Sequence, residues 1–245
     1  MGQGFLVAAS DNIDFMIHGI FSYELFGQTV WVTTTHVSVL IVMLLIIIFS
    51  CVAGHMAKKA TEVPGKFQNV VEMLVEFLDG IVHNSMGKHA PKFRNYIGTI
   101  FIFIFISNIS GLLGLRPPTA DYGVTLPLGI ITFTLIWFNK IKHNKPKVLW
   151  KDMCSPLPPW LPIWFPINLI SEIAVPISLS LRLFANVLSG TVMMALVYGL
   201  LNWFALIWPA ALHVYFDLFS GAIQTYVFCM LTMTYIPNAI GDADN

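Results

Sequence analysis

Apolar residues in this chain come in blocks separated by short polar or proline-rich stretches, and the period inside each block separates crossing helices from one that lies flat. Val37 to Gly54 is an uncharged run of 18 residues, long enough for a first membrane span, assigned to residues 36–55. It stops at His55, Lys58 and Lys59. In the next block Phe67, Val70, Leu74, Phe77, Leu78 and Ile81 recur at three- and four-residue steps, while Asn69, Glu72, Glu76 and Asp79 take the other face. This pattern predicts an amphipathic helix over 64–87, lying along the interface instead of crossing. A second span is expected over 96–115, with Asn108 and Ser110 in its interior and the turn Arg116-Pro117-Pro118-Thr119-Ala120-Asp121 at its end. A third, over 123–139, is short and interrupted by Pro127.

Residues 140–166 form a loop and connector, in which Asp152 to Pro166 gathers Pro156, Pro158, Pro159, Pro162 and Pro166 with the interfacial anchors Trp160 and Trp164. Two blocks of 35 residues follow, 167–201 and 202–236. At about 1.5 Å per residue each would reach about 52 Å, well beyond a hydrocarbon core of about 30 Å. These helices must be strongly tilted or broken, with Pro176 and Pro209 as candidate kinks. The expected fold is a single all-α integral membrane domain over 1–245. It has an outer N-terminal segment (1–35), five transmembrane helices, one interfacial helix, and a long tilted hairpin made of the last two helices.

Composition narrows the class further. The 245 residues are 56% hydrophobic and only 11% charged, whereas a soluble domain carries about 25% charged residues. The net charge of zero hides an asymmetry, since eleven of the thirteen basic residues lie in the segments Lys58–Arg94 and Lys140–Lys151. Both segments read as cytoplasmic, and the first 32 residues, with Asp11, Asp14 and Glu24 but no Lys or Arg, read as outside. They lack the basic start of a signal peptide. Five spans then leave the C-terminus in the cytoplasm. Cys51, Cys154 and Cys229 stand apart with no metal or redox spacing. No nucleic-acid signature is present, and no cofactor or metal site is expected.

Within this apolar frame Arg182 stands out, as the only Lys or Arg after Lys151. An arginine keeps its charge at any accessible pH, and at bilayer depth it costs roughly 2.5–3.5 kcal/mol, so by default it faces water or a charged partner. The alternative, snorkelling to a headgroup, is disfavoured by the apolar helix on both sides. At about 100° per residue, Ser171, Ser178, Asn186 and Ser189 fall within roughly 40° of Arg182, forming one polar stripe. Glu172 lies about 15 Å nearer the cytoplasmic end. On the last helix Asp217 and Gln224 share a face, with His213 one turn upstream and Ser220 between them. One acid toward each aqueous phase, with a fixed charge between them in depth, would let an ion enter from one side and leave on the other without a continuous pore.

The stretch Ile177-Ser178-Leu179-Ser180-Leu181-Arg182-Leu183-Phe184-Ala185-Asn186 resembles the signature of subunit a of the rotary F-type ATP synthase. Ile223 to Phe228 and Leu231 to Ile236 resemble that family's last helix, and Asn108-Ile109-Ser110-Gly111-Leu112 with Pro117-Pro118-Thr119 its second span and outer loop. The resemblance implies a stator subunit of a bacterial plasma membrane that coordinates with the ring of c subunits, peripheral-stalk subunit b and the remaining F1Fo subunits. By position it implies Arg182 as the ion-transfer gate opposite the ring carboxylate, with Asn186 and Gln224 beside it; the polar stripe adds Ser178 to the ion pathway. Glu172 would line the cytoplasmic half-channel, and Asp217 the outer one; His213, one turn from Asp217, reads from the helix pattern alone either as a relay in that path or as an ordinary packed histidine. Many members carry a glutamate nine residues after the arginine; this chain has Thr191, which shifts weight onto Asp217. A Walker-type phosphate loop is missing from the sequence, so nucleotide chemistry falls to other subunits. The competing readings are a self-contained ion-coupled secondary transporter, although no repeated hydropathy pattern supports one, and a stator of another ion-driven motor. H⁺ and Na⁺ both remain open as the ion.

Overall fold

The computed structural model describes residues 19–25, 28–58, 65–113, 115–145, 164–201 and 212–241. It opens with a feature the hydropathy pattern does not show, an antiparallel hairpin of β1 (Gly19–Leu25) and β2 (Gln28–Thr33), in register from Leu25 against Gln28 to Phe21 against Val32. The run Thr29-Val30-Trp31-Val32-Thr33 is β-branched and aromatic, which suits a strand. Every described segment from Thr34 onward is helical or a turn.

Five helical spans are long and apolar enough to cross a membrane, so the protein is a multi-pass membrane protein. Helix α1 (Thr34–Ala57) buries only Thr35, Ser38 and Val42 and shows the rest of its apolar surface outward. Helix α2 (Lys66–Met86) ends at Gly87, whose φ of +50° lets the chain leave the helix. A single turn, Gly87–His89, joins it to α3 (Ala90–Ile109). The start of α3 thus lies six residues before the expected span of 96–115, because Pro91 falls in the first turn, where its missing N–H costs nothing. The same span also stops short of residue 115. It closes in the tight turn Ser110–Leu113, and a second turn, Pro118–Ala120, follows.

Helix α4 (Tyr122–His143) starts at Asp121, whose carboxylate accepts the Gly123 N–H at 2.9 Å. Pro127 does not interrupt it. It runs past residue 139, with Lys140, Lys142 and His143 in its last turn, where cations oppose the helix dipole. Helix α5 (Trp164–Leu201) is continuous through Pro176 over 38 residues. Trp164 and Pro166, expected in a non-helical connector, instead form its first turn, a position that tolerates proline. The last span, α6 (Val214–Ile240), opens as a π-helical turn over Val214–Ser220, becomes α-helical from Gly221, and ends at Gly241 with φ +71°. It extends four residues past the expected end at 236, because Pro237 is accommodated within its last turns. The beginning of the 202–236 assignment and Pro209 lie outside the described residues, as do Cys154, Trp160 and the 1–18 part of the N-terminal segment.

The core is formed where α2, α3, α5 and α6 meet. Phe93, Ile97, Ile104, Leu183, Phe228, Met233 and Ile236 lie at its centre. Toward α2, the predicted apolar stripe divides: Leu78 packs inward, whereas Phe67, Val70, Leu74 and Phe77 are exposed. That distribution suits a helix with lipid or a partner along one side. Between α4 and α5 the backbones nearly touch, because a Cβ on Gly129 would lie 2.7 Å from the Pro176 carbonyl oxygen.

Candidate functional site

Two contacts fix how α5 and α6 lie against each other. Asn186 donates from Nδ2 to Ser220 Oγ at 3.1 Å, and the two amide and hydroxyl groups lie within 3.2 Å on the return contact. Further along, Glu172 and Val175 of α5 line one cavity with Tyr235 and Asn238 of α6. The helices are therefore antiparallel. One turn from the Asn186–Ser220 contact, Arg182 comes level with Gln224.

Arg182 is exposed, and so are Ser171, Ser178 and Ser189 of the expected stripe. Its guanidinium makes no hydrogen bond or ion pair with another described residue. The opposite face of α5 holds Leu179, Ser180 and Leu183 fully within the bundle. The helix thus turns an apolar side inward and presents Arg182 among Ile177, Leu181 and Met193 on an outer face. Asn186 leaves the stripe to reach Ser220. Gln224 is 7% exposed, and its Nε2 donor has no partner. A buried amide donor without an acceptor is costly to leave so.

On one side of this level, about 10 Å along α6, stands Asp217. Its carboxylate Oδ2 lies 2.8 Å from His213 Nδ1. The π-helical turn carries Asp217 and begins immediately after His213, and such turns recur at functional positions. The sequence suggests nothing of what holds Asp217: the carboxylate rests on Gly111, where a Cβ would come within 3.1 Å of both its Cγ and Oδ2. Next to it, buried Asn108 donates to the Gly221 carbonyl at 3.0 Å and to Thr225 Oγ1 at 3.3 Å, while Thr119 Oγ1 donates to Asn108 Oδ1 at 2.7 Å. This network ties α3, the Pro118–Ala120 turn and α6 together just beyond the π turn. Thr191 points its hydroxyl back to its own helix, donating to the Leu188 carbonyl at 2.8 Å.

On the other side of Arg182, about 15 Å along α5, Glu172 faces a cavity of about 370 Å³ between the ends of α4, α5 and α6. Lys140 of α4 donates from Nζ to Glu172 Oε1 at 2.5 Å. Nothing in the run of lysines over 140–151 marks out this pairing in the sequence. Glu172 and Asp217 thus stand on opposite sides of Arg182 in depth, and His213 joins Asp217. Ser178 and Arg182 share the outer face, and Gln224 lies inside it.

Residues 36–237 match the family described as "ATP synthase A chain". The chain is similar to "ATP synthase subunit a, sodium ion specific" of Propionigenium modestum, 36% identical over 229 residues, covering 87% of this chain and 76% of that one. It is 32% identical over 208 residues to ATP synthase subunit a of Sulfurihydrogenibium sp., with 84% and 98% covered. With ATP synthase subunit a of Bacillus subtilis it shares 30% identity over 248 residues, with 92% and 98% covered.

Proposed function

The chain belongs to the family of subunit a of the F-type ATP synthase, and from that premise we propose that it conducts H⁺ or Na⁺ to and from a rotating ring through two offset half-channels separated by Arg182. The observation that carries the reading is the placement of Glu172 and Asp217 on opposite sides of an exposed Arg182 on antiparallel helices. The family makes the protein part of the F1Fo complex, an ion-transporting assembly for ATP synthesis; the ring and subunit b as direct partners are part of the proposal. The outer face of α5, apolar except for the stripe of Ser171, Ser178, Arg182 and Ser189, suits a ring of apolar helices each carrying one carboxylate.

In that arrangement, an ion from the outer phase reaches the ring by way of Asp217, with His213 as its hydrogen-bonded partner. On meeting Arg182, a ring carboxylate is favoured in its ionised form, because a nearby cation stabilises the anion, and it gives up its ion. The freed ion leaves past Glu172. Arg182 also blocks a direct path between the two half-channels, since a fixed positive charge repels any cation that would cross at its level. Gln224, level with the guanidinium and short of an acceptor, lies just inside the face that Arg182 presents. Each charge crossing 100 mV supplies about 2.3 kcal/mol, so several transfers are combined per ATP. The two basic segments support a cytoplasmic position for the Glu172 end.

Arg182→Ala tests the reading. It should abolish ion-driven ATP synthesis in reconstituted vesicles while leaving assembly intact, because an exposed side chain without a partner contributes little to folding. Lys in its place should also be severely impaired, since an ammonium lacks the planar fork. Normal coupled synthesis by Arg182→Ala would sink the reading.

A further inference from the structure

The cavity at the Glu172 end contains a charged group that the half-channel scheme does not use. Lys140 and Glu172 are the only charged residues among the described residues lining it. Both are withdrawn from solvent, with side chains 13% and 25% exposed. The indole of Trp137 backs the ammonium, 5.7 Å from Nζ to the ring centroid. Lys140 engages one carboxylate oxygen, Oε1; the other, Oε2, is buried and without a hydrogen-bond partner. Two further features make this end of the bundle attractive to a cation. Pro176 has no N–H to give the Glu172 carbonyl four residues earlier. The C-terminal end of α6, the negative end of its dipole, comes to the same cavity at Ala239 and Gly241.

A salt bridge kept only for stability would have both carboxylate oxygens satisfied, because leaving one bare costs free energy that a neighbouring donor would recover. Here Oε2 is closed off from water, so an ion entering the cavity, which is large enough for several waters, competes with Lys140 for Oε1. On the basis of the half-channel reading above, we propose that Lys140 is a specificity-determining residue of this path: its ammonium is a tethered cation that occupies the ion's seat at Glu172, and ions exchange by displacing it. An arriving ion takes the place of Nζ at Oε1, and Nζ moves off toward the cavity mouth. Exchange at this end depends on competition between a mobile cation and a fixed one at a single carboxylate. The free negative charge of the cavity stays near zero when no ion is bound.

The test uses the intact F1Fo complex in inverted vesicles, with Cys51, Cys154 and Cys229 replaced by Ser and a cysteine introduced by Asn238→Cys in the cavity wall. Its reaction rates with a cationic and an anionic methanethiosulfonate reagent of similar size report the local charge. Lys140→Gln should raise the cationic-to-anionic ratio by about tenfold, equivalent to ~1.4 kcal/mol, whereas Lys140→Arg should leave it at the parental value. Glu172→Gln, which keeps the lysine, should lower it by a comparable factor, and the double Gln variant should restore it. Vesicles stripped of F1 provide a transport readout: with Na⁺ and H⁺ as probes, Lys140→Gln should lower the half-saturating concentration of the conducted ion about tenfold on the Glu172 side and leave the opposite side unchanged. A reagent ratio unmoved by Lys140→Gln would reduce the pair to a packing contact and overturn the proposal, as would a half-saturating concentration that shifts equally on both sides. The outcome is separate from that of Arg182→Ala, since the reagent ratios depend only on charge in this cavity and do not require coupled rotation.

Discussion

Gly111→Ala is the smallest perturbation that reaches the Asp217 carboxylate. The added methyl carbon would lie 3.1 Å from Cγ and Oδ2 and 3.3 Å from Oδ1, closer than ordinary contact, so the carboxylate has to retreat by about 0.3 Å. Asp217 is only 14% exposed and hydrogen-bonded to His213 at 2.8 Å, so it cannot swing into open space. An off-rotamer side chain of this kind costs about 0.5–1.5 kcal/mol, far less than is needed to unfold a bundle. The complex should therefore assemble in normal amounts. Ion transfer depends more steeply on position: a misplacement of 1 Å can cost ~10²-fold, and a few tenths of an ångström should slow transfer about three- to tenfold. The assay is passive ion conduction through F1-stripped vesicles at equal Fo content, driven from each side in turn, alongside ATP-driven pumping. In an Asp217→Asn background the same methyl should cause little further loss, because the group it displaces no longer exchanges a proton or attracts a cation. An equal fold-loss in both backgrounds would show that Gly111 acts through the fold and would refute the seating argument.

Two further outcomes test sidedness. Asp217→Asn should slow ion access from the outer phase more deeply than Glu172→Gln slows exchange at the other end, because Thr191 offers no second carboxylate and bonds back to Leu188; thiol-reagent access to single cysteines at 172 and 217 should come from opposite faces of sealed vesicles, and equal access from one face would refute the assignment. Cysteines introduced at exposed Glu24 and at Lys142 should react with membrane-impermeant reagents from opposite sides, Lys142 from the cytoplasm, and labelling from the same side would overturn the five-span orientation.

The sequence revealed those parts of the site that lie on a single helix. The 100° projection around Arg182 put Ser171, Ser178 and Ser189 on one face, and that face is the exposed one. Glu172 and Asp217 could be placed on opposite sides of it from helix direction and length alone. What could not be read were relations between helices. Gly111 carries no side chain to signal that it seats a carboxylate 106 positions later. Lys140 sits among four other lysines whose shared explanation, topology, left no reason to single it out. The π turn has no hydrophobic period of its own, so the pattern reads 213–224 as ordinary helix, and a single-helix projection puts Asn186 beside Arg182 with no sign of the Ser220 contact that draws it aside. Helix ends moved where proline sits in a first turn, at Pro91 and Pro166, because the residue that breaks a helix interior is welcome at its start.

The close approach of Gly129 to the Pro176 carbonyl has a mechanical meaning. On the proposed reading the chain is a stator that has to receive the reaction force of a rotor without yielding, and side chains yield first, by hopping rotamers. Where two main chains meet with no side chain between them, that source of give is removed. Pro176 lies between Glu172 and Arg182, so a sideways load on the outer face of α5 passes directly into α4 at that point, midway between the gate and the cavity. A bulkier residue at 129 would do more than open a gap between two helices. In the arrangement proposed above it would place a spring under Arg182, letting the fixed charge drift as a ring turned past it, so that ions would slip without driving a full step.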